Sequence, residues 1–110
     1  MAKARTIRFT ANACRWFDKV NGNTYHSVRI VRHRDGKVLY CPWQYGYGEQ
    51  YRYTALDAMA KAGWIPAKYD RPYPNGGTAC LMYERENNYP ILWNVTDGRK
   101  RDMIANGQEN

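Results

Sequence analysis

The residues of this chain that could do covalent chemistry are two histidines and one cysteine. His26 and His33 lie seven positions apart on one predicted strand, and an odd separation points two side chains to opposite faces. They therefore cannot share a metal ion, and the ligand spacings of a zinc site are absent from the sequence. Cys41, on the next predicted strand, can approach one histidine as a nucleophile and base pair, although no third, orienting group is evident. The alternative is that all three are packed or surface residues.

Carboxylates add little further chemistry. Glu84 and Glu86 stand beside Arg85 at a predicted hairpin tip, which is typical of a solvated turn. No pair of acids stands in a recognisable catalytic frame. A Gly-x-Gly pair precedes the predicted helix as in phosphate-binding loops, but Tyr51 occupies the place of the third glycine. The sequence therefore predicts no enzymatic site, no metal and no cofactor.

The strongest chemical signal is a mixture of basic and aromatic side chains. The chain carries 17 Lys and Arg against 10 Asp and Glu, a net charge of +7, and ten tyrosines. Basic side chains contact phosphates, and tyrosine stacks on bases or fills protein interfaces, so the mixture predicts a binding surface for nucleic acid or for protein. The alternative is a solvated basic face over an aromatic core. The predicted binding residues are Arg29, Arg32, Arg34, Tyr47, Tyr51, Arg52, Lys61, Lys68, Tyr69 and Arg71.

Length and cysteine usage predict a small cytoplasmic domain. The 110 residues predict one domain over 1–110, with flexible ends at 1–5 and 107–110. The three cysteines are odd in number, form no Cys-x-x-Cys motif and follow no secretory leader, which is typical of free, packed thiols in the cytoplasm. No apolar stretch approaches the ~20 residues of a membrane helix, so no membrane partner is predicted.

The first half of the chain predicts strands. Thr6–Thr10 alternates as a short strand, and Arg15–Lys19 and Thr24–His33 flank Asn21-Gly22, a strong hairpin signal. After an Arg-Asp-Gly turn, Lys37–Trp43 returns as a further strand. These segments predict a three-stranded antiparallel meander.

The third strand of that meander has two distinct faces. Alternation places Leu39, Cys41 and Trp43 together on one face. Pro42 has no amide hydrogen for a ladder, which predicts a sheet edge or a bulge at this point.

The best helix signal lies over Thr54–Ala62. Thr54 is a suitable N-cap, with Asp57 three residues later as in a capping box. Gly63 tolerates the left-handed conformation that commonly ends a helix. The same apolar spacing also allows a start near Gln50.

The second half predicts a hairpin and a short helix. Thr78–Glu84 and Tyr89–Val95 are the predicted hairpin strands, and Thr96 caps a helix over Gly98–Ala105. The predicted fold class is therefore α+β. An antiparallel sheet, made of the three-stranded meander plus the C-terminal hairpin, is packed by one central helix, with a short C-terminal helix.

One block of the central stretch is specific enough to compare with known proteins. Between Tyr45 and Trp64 it reads YGYGxxYxxTAxxAMxxAGW, and it resembles small proteins encoded by tailed phages and prophages. The similarity continues through Tyr83–Asn94 and spans most of Trp16–Asn106. It carries over no functional residues. What the resemblance implies is a setting, a phage-encoded accessory protein inside a bacterial host cell.

These observations predict a small basic, non-enzymatic binding protein of phage type. The resemblance implies host takeover or an anti-defence role, such as an anti-CRISPR inhibitor, that acts by covering a site on a host protein or nucleoprotein complex. Direct nucleic-acid binding is the alternative, because composition alone cannot separate nucleic-acid surfaces from protein interfaces. An enzyme that uses Cys41 and a histidine is a further alternative.

Overall fold

Four strands and three α-helices make up the part of the chain that the computed structural model describes, residues 5–74 and 76–109. Two single turns of 3₁₀ helix lie between the first α-helix and the last strand. In chain order the elements are β1 (Phe9–Asp18), β2 (Asn23–Arg32), β3 (Val38–Tyr45), α1 (Gln50–Lys61), the 3₁₀ turns Ala67–Asp70 and Ala79–Leu81, α2 (Met82–Glu86), β4 (Ile91–Asp97) and α3 (Lys100–Asn106).

The sheet is mixed, so the predicted antiparallel sheet with a C-terminal hairpin is wrong. The strands lie in the order β3-β2-β1-β4. β2 is antiparallel to both of its neighbours, but β4 runs parallel to β1. A parallel neighbour requires a crossover connection, and the chain from β3 through α1 to β4 supplies it. The last strand therefore completes the sheet beside β1 instead of pairing with the segment before it.

The segment predicted as the first strand of that hairpin, Thr78–Glu84, is helical. It forms the second 3₁₀ turn and most of α2. Ala79, Cys80 and Tyr83 are buried, and this spacing follows one side of a helix rather than the alternation of a strand. The Ala, Leu and Met residues of the segment also favour helix.

β1 is one strand of ten residues, where the sequence predicts the two shorter strands Thr6–Thr10 and Arg15–Lys19. The residues between them include Ala11 and Ala13, which alone are weak strand formers. Both are buried in the core cluster that also contains Ala55 of α1. Burial under the helix therefore outweighs their weak preference, and the strand continues without a break.

α1 begins at Gln50, the earlier of the two predicted starts. Its predicted stop is confirmed, since Gly63 has a φ of 76° and the Trp64 amide donates to the Met59 carbonyl at 2.9 Å. This six-to-one bond is the mark of a Schellman ending. Thr54 is not the N-cap, because it lies inside the helix with its hydroxyl turned towards the sheet.

Different helices cover the two faces of the sheet. α1 packs over Val28 and its neighbours in the main core, whereas α3 lies on the opposite face. There the Ser27 hydroxyl donates to the Met103 carbonyl, and Asn106 Nδ2 donates to the Asn12 carbonyl at 2.9 Å. With seven residues, α3 covers only part of its face. Within the described ranges, no helix has the length and apolar character that a membrane crossing requires.

The two predicted flexible ends fall in part on residues 1–4 and 110, which lie outside the described residues. Arg5, the first described residue, donates from Nε to the Tyr89 carbonyl at 2.6 Å and from a terminal nitrogen to the Ile91 carbonyl at 2.7 Å. At the other end Gly107 is buried. Arg5 is thus held to β4, and Gly107 lies against β3.

Candidate binding surface

Two of the ten predicted binding residues belong to the core. Tyr51 is 5% exposed and meets the Trp93 ring edge-on, with centroids 5.6 Å apart. Tyr69 is 3% exposed and donates its hydroxyl hydrogen to Glu86 at 2.7 Å. Neither ring is open to a partner in this conformation. Both rings pack in the core, which agrees with the alternative interpretation of an aromatic core under a solvated basic face.

Two predicted arginines lie on opposite faces of β2. Arg29 bonds to the last carbonyls of α3, including Ala105 at 3.2 Å, and so satisfies acceptors that a helix end leaves open. Arg32 pairs with Asp35 at 2.7 Å and lies over the Trp64 ring at 4.6 Å on the α1 face. Both guanidinium groups hold the fold together, so neither is available as a whole to an external phosphate.

Two further predicted cations are held by acids. Arg52 lies 3.5 Å from Glu84, whose side chain is 9% exposed. Lys61 bridges Asp57 at 2.8 Å and Asp70 at 3.1 Å, and these hydrogen bonds raise the pKa of its ammonium group. These pairs connect α1 to α2 and to the first 3₁₀ turn, so the cations serve tertiary contacts.

The other four predicted residues are exposed but scattered. Arg34 lies in the turn after β2, and Tyr47 lies between β3 and α1, at the other end of the sheet. Lys68 and Arg71 lie in and beside the first 3₁₀ turn. The ten residues therefore do not form one surface.

Four aromatic side chains line up across one end of the sheet. The strand register places Trp16 opposite Tyr25, and Tyr25 opposite Tyr45. The Trp16 and Tyr25 rings stack with centroids 5.7 Å apart, and Tyr25 meets Tyr45 edge-on at 5.9 Å. Trp43 meets Tyr25 edge-on at 5.5 Å. We call these four residues the aromatic row.

α3 leaves the aromatic row open. The helix begins at Lys100, whose Nζ lies 5.5 Å from the centroid of the Trp16 ring, and its far end bonds to the Asn12 carbonyl, away from the row. Trp43 and Tyr45, on the edge strand β3, are 43% and 58% exposed. Contiguous exposed aromatic surface marks interaction sites, whereas single exposed apolar residues are common everywhere.

Basic side chains border the aromatic row. Lys100 lies over the Trp16 ring, and Lys19 follows β1, three residues after Trp16; both are exposed, and among the described residues no carboxylate lies within ion-pair distance of either. Asp18, the last residue of β1, lies near them; hydrogen bonds from Asn21, together with the charge of Lys100, lower the pKa of its carboxyl group. The border of the row thus has cations that can meet an anionic partner.

A cleft of about 600 Å³ opens beside the row, between the end of β1 and the loop that joins β4 to α3. Trp16, Lys19 and Arg99 are among its lining residues. Arg15 stiffens one wall, because its guanidinium pairs with Asp97 at 2.9 Å. The cleft shares Trp16 with the row.

Sequence reasoning places Trp43 on the wrong face. Strict alternation groups it with Leu39 and Cys41, but the ladder between β2 and β3 shifts register at this point. Pro42, which lacks a ladder donor, lies within this irregularity. Because of the shift in register, Trp43 and Tyr45 both lie on the face that carries Tyr25. The prediction of a sheet edge or a bulge at Pro42 is confirmed, because β3 is an edge strand and its ladder shifts register there. Strict alternation ignores such a bulge and so gives Trp43 the wrong face.

The geometry does not favour a Cys/His pair. Cys41 is buried, and burial raises the pKa of its thiol to about 11. His26 is buried too, with Nδ1 3.1 Å from the Gly46 carbonyl and Nε2 2.7 Å from the Thr54 hydroxyl. His33 is exposed on the other face. A protonated thiol and an imidazole with both nitrogens engaged are poorly placed for nucleophilic catalysis.

Buried His26 leads to a pH prediction. Burial lowers the pKa of His26 below its usual 6.5, so the unfolded chain binds this proton more readily than the folded chain. Stability from this residue is therefore complete above about pH 6.5 and falls as the pH drops below it. We expect His26→Gln to reduce this slope in melting temperatures measured between about pH 8 and pH 5. His33→Gln is the control; an unchanged slope in His26→Gln would contradict the prediction.

Comparisons of the chain with protein family models, with curated proteins and with solved structures gave no significant match. The resemblance to phage proteins therefore stays a prediction. The aromatic row and its basic border are the features from which function can be inferred.

Proposed function

We propose that this chain is a small, non-enzymatic binding protein of phage type that stacks the bases of a single nucleic-acid strand on its aromatic row. The observation that carries the proposal is three rings in register across β1, β2 and β3, with Trp43 and Tyr45 open to solvent. Every base has a flat π-face, so aromatic side chains on an open sheet bind single strands with little sequence preference.

Charge supports this choice of partner. The chain has a net charge of +7, Lys100 lies over the Trp16 ring, and Lys19 lines the same cleft as Trp16. Cations beside stacking rings can contact the phosphates of a strand while its bases stack on the rings. A duplex presents no free base faces except at its ends, so the row favours a single strand. The bacterial cytoplasm is the proposed setting.

Salt dependence tests this proposal directly. We expect a fluorescein-labelled single-stranded oligonucleotide of about ten thymidines to bind with an affinity that falls steeply between ~50 and ~200 mM salt. Replacing Lys100 with glutamine should reduce the slope of log affinity against log salt by about one, since one phosphate contact is lost. The control variant Arg71→Gln changes an arginine far from the row and should leave this slope unchanged. No binding at micromolar protein and ~50 mM salt would overturn the proposal.

A second candidate function is host takeover or anti-defence by occlusion, for example as an anti-CRISPR inhibitor. The observation that favours it is exposed apolar surface at the same end of the sheet: Val20 is 91% exposed, and Phe17 and Tyr47 are also exposed. Val20 and Phe17 have no polar side-chain atom that could bind a phosphate, and aromatic and apolar groups suit the centre of a protein interface. The partner would be a host protein or nucleoprotein.

Recovery of partners from bacterial lysate separates the two candidates. The wild-type chain and a Trp43→Ala variant serve as matched baits, each with and without nuclease. One stoichiometric host protein, retained after nuclease and lost with the variant, supports occlusion of a protein. Material that disappears after nuclease supports nucleic-acid binding.

A further inference from the structure

A second cleft lies at the opposite end of the sheet from the aromatic row, on the α1 side. It has a volume of about 520 Å³ and lies between the start of β1, the end of β2 and the loop after α1. Small-molecule sites typically have volumes of about 300–1,000 Å³. Phe9, Trp64 and Tyr83 provide aromatic walls, with the Phe9 and Trp64 rings stacked at a centroid distance of 6.2 Å.

Three arginines line this cleft, and none of its lining residues is an acid. Arg32 is already engaged, because it pairs with Asp35 in the adjoining turn and lies over Trp64. Arg8 and Arg34 are exposed, and no carboxylate of the described residues lies within ion-pair distance of either. The cleft therefore combines an apolar wall with two cations that have no internal counter-ion in the described structure.

The backbone holds these two arginines close to one another. The Arg8 amide donates to the Pro90 carbonyl at 2.7 Å, and the Arg8 carbonyl accepts from the His33 amide at 3.0 Å. Arg34 follows His33 directly, so both side chains begin at neighbouring, fixed points of the sheet end. Guanidinium groups present several donors in a plane, which suits the oxygens of a phosphate.

We propose that this cleft binds a small organic phosphate of the nucleoside monophosphate class. The phosphate lies between Arg8 and Arg34, and the organic part packs against the wall that contains Trp64 and Tyr83. Inorganic phosphate alone would leave most of the cleft unfilled, whereas the nucleoside part of a monophosphate would pack against the apolar wall of the cleft. The same chemistry can come from a free nucleotide or from the 5′-terminal phosphate of a nucleic-acid strand.

Calorimetric titration with three probes tests the site: adenosine monophosphate, adenosine and inorganic phosphate. We expect the monophosphate to bind more tightly than either fragment. The double variant Arg8→Gln/Arg34→Gln should weaken its binding by ~10-fold or more, because two charged hydrogen-bonding groups are removed. Arg71→Gln, an exposed arginine elsewhere, should leave affinity unchanged. Undetectable binding at ~10 mM monophosphate, or equal binding by the double variant, would overturn the proposal.

A second pair of titrations distinguishes the source of the phosphate and keeps this site separate from the aromatic row. If strand ends are the ligand, a 5′-phosphorylated oligonucleotide should bind more tightly than its unphosphorylated form, and the double variant should remove the difference. If free nucleotides are the ligand, the two oligonucleotides should bind equally while the monophosphate still binds. Arg8→Gln/Arg34→Gln should still bind the unphosphorylated oligonucleotide like the wild type, because neither arginine belongs to the aromatic row. Failure of one site would therefore not imply failure of the other.

Discussion

Replacing Gly107 with alanine is expected to lower the free energy of unfolding by about 2–3 kcal/mol, because an added methyl group has no space there. A Cβ at this position would lie 2.5 Å from the Cys41 carbonyl oxygen, 2.8 Å from Ser27 Cβ and 3.1 Å from Pro42 Cα. Two of these three neighbours are backbone atoms of β3, which cannot rotate away. The methyl group would therefore push the end of α3 off the sheet.

A matched glycine in the same part of the fold provides the control. At Gly98, just before α3, an added Cβ would lie 3.3 Å from the Cys14 sulfur. This distance is shorter than usual, but the Cys14 side chain can move to relieve it. We expect Gly98→Ala to lose much less stability. Urea unfolding and melting temperatures measure both, with a fall of about 10 °C expected for Gly107→Ala. Equal stability of the two variants would contradict this account of how α3 docks.

The structure confirms two local signals of the sequence, the Asn-Gly turn and the glycine that ends the first helix. Gly22 of the Asn-Gly turn has a φ of 70° and follows β1 as the hairpin signal requires. Gly63 ends α1 as predicted. Both features depend on one residue that tolerates a left-handed backbone, so a short stretch of sequence is enough to indicate them.

The order of the sheet could not be predicted in the same way. β4 pairs with β1 across more than seventy residues, and its parallel direction depends on how α1 and the segment after it cross the sheet. No local pattern encodes that crossover. The predicted hairpin of Thr78–Glu84 and Tyr89–Val95 does not form, because the burial of Cys80 and Tyr83 at helical spacing removes one of its two strands.

For the binding surface, too, the sequence indicates the kinds of residue but not their positions in the fold. The sequence indicates arginines and aromatic rings as the binding chemistry, but only the fold decides which of them point outward. Tyr51 and Tyr69 pack in the core, while Tyr45 and Trp43 reach the surface because of the irregularity that includes Pro42. A change of register by one residue moves a side chain to the other face of a sheet. Alternation alone therefore could not identify the aromatic row.

Replacing both Trp43 and Tyr45 with alanine is expected to remove most single-strand binding. Stacking of one base on one aromatic ring contributes roughly 1–3 kcal/mol, so each substitution should weaken binding by about 5-fold to 150-fold, and both together by the product if the stacks are independent. The two rings are half open to solvent on an edge strand, so the loss of stability should be modest. Fluorescence anisotropy with the labelled oligonucleotide at ~50 mM salt measures the change in affinity.

The control for this prediction is Tyr73→Ala, which removes an exposed tyrosine from the loop after α1, away from the row. It should bind like the wild type. The row also stabilises β2 and β3 through its cross-strand contacts, and this purely structural role predicts a different result. In that case the double variant would melt at a lower temperature, yet once folded it would bind the oligonucleotide with unchanged affinity. Measuring both quantities on the same samples thus decides whether the rings bind a strand or only hold the sheet.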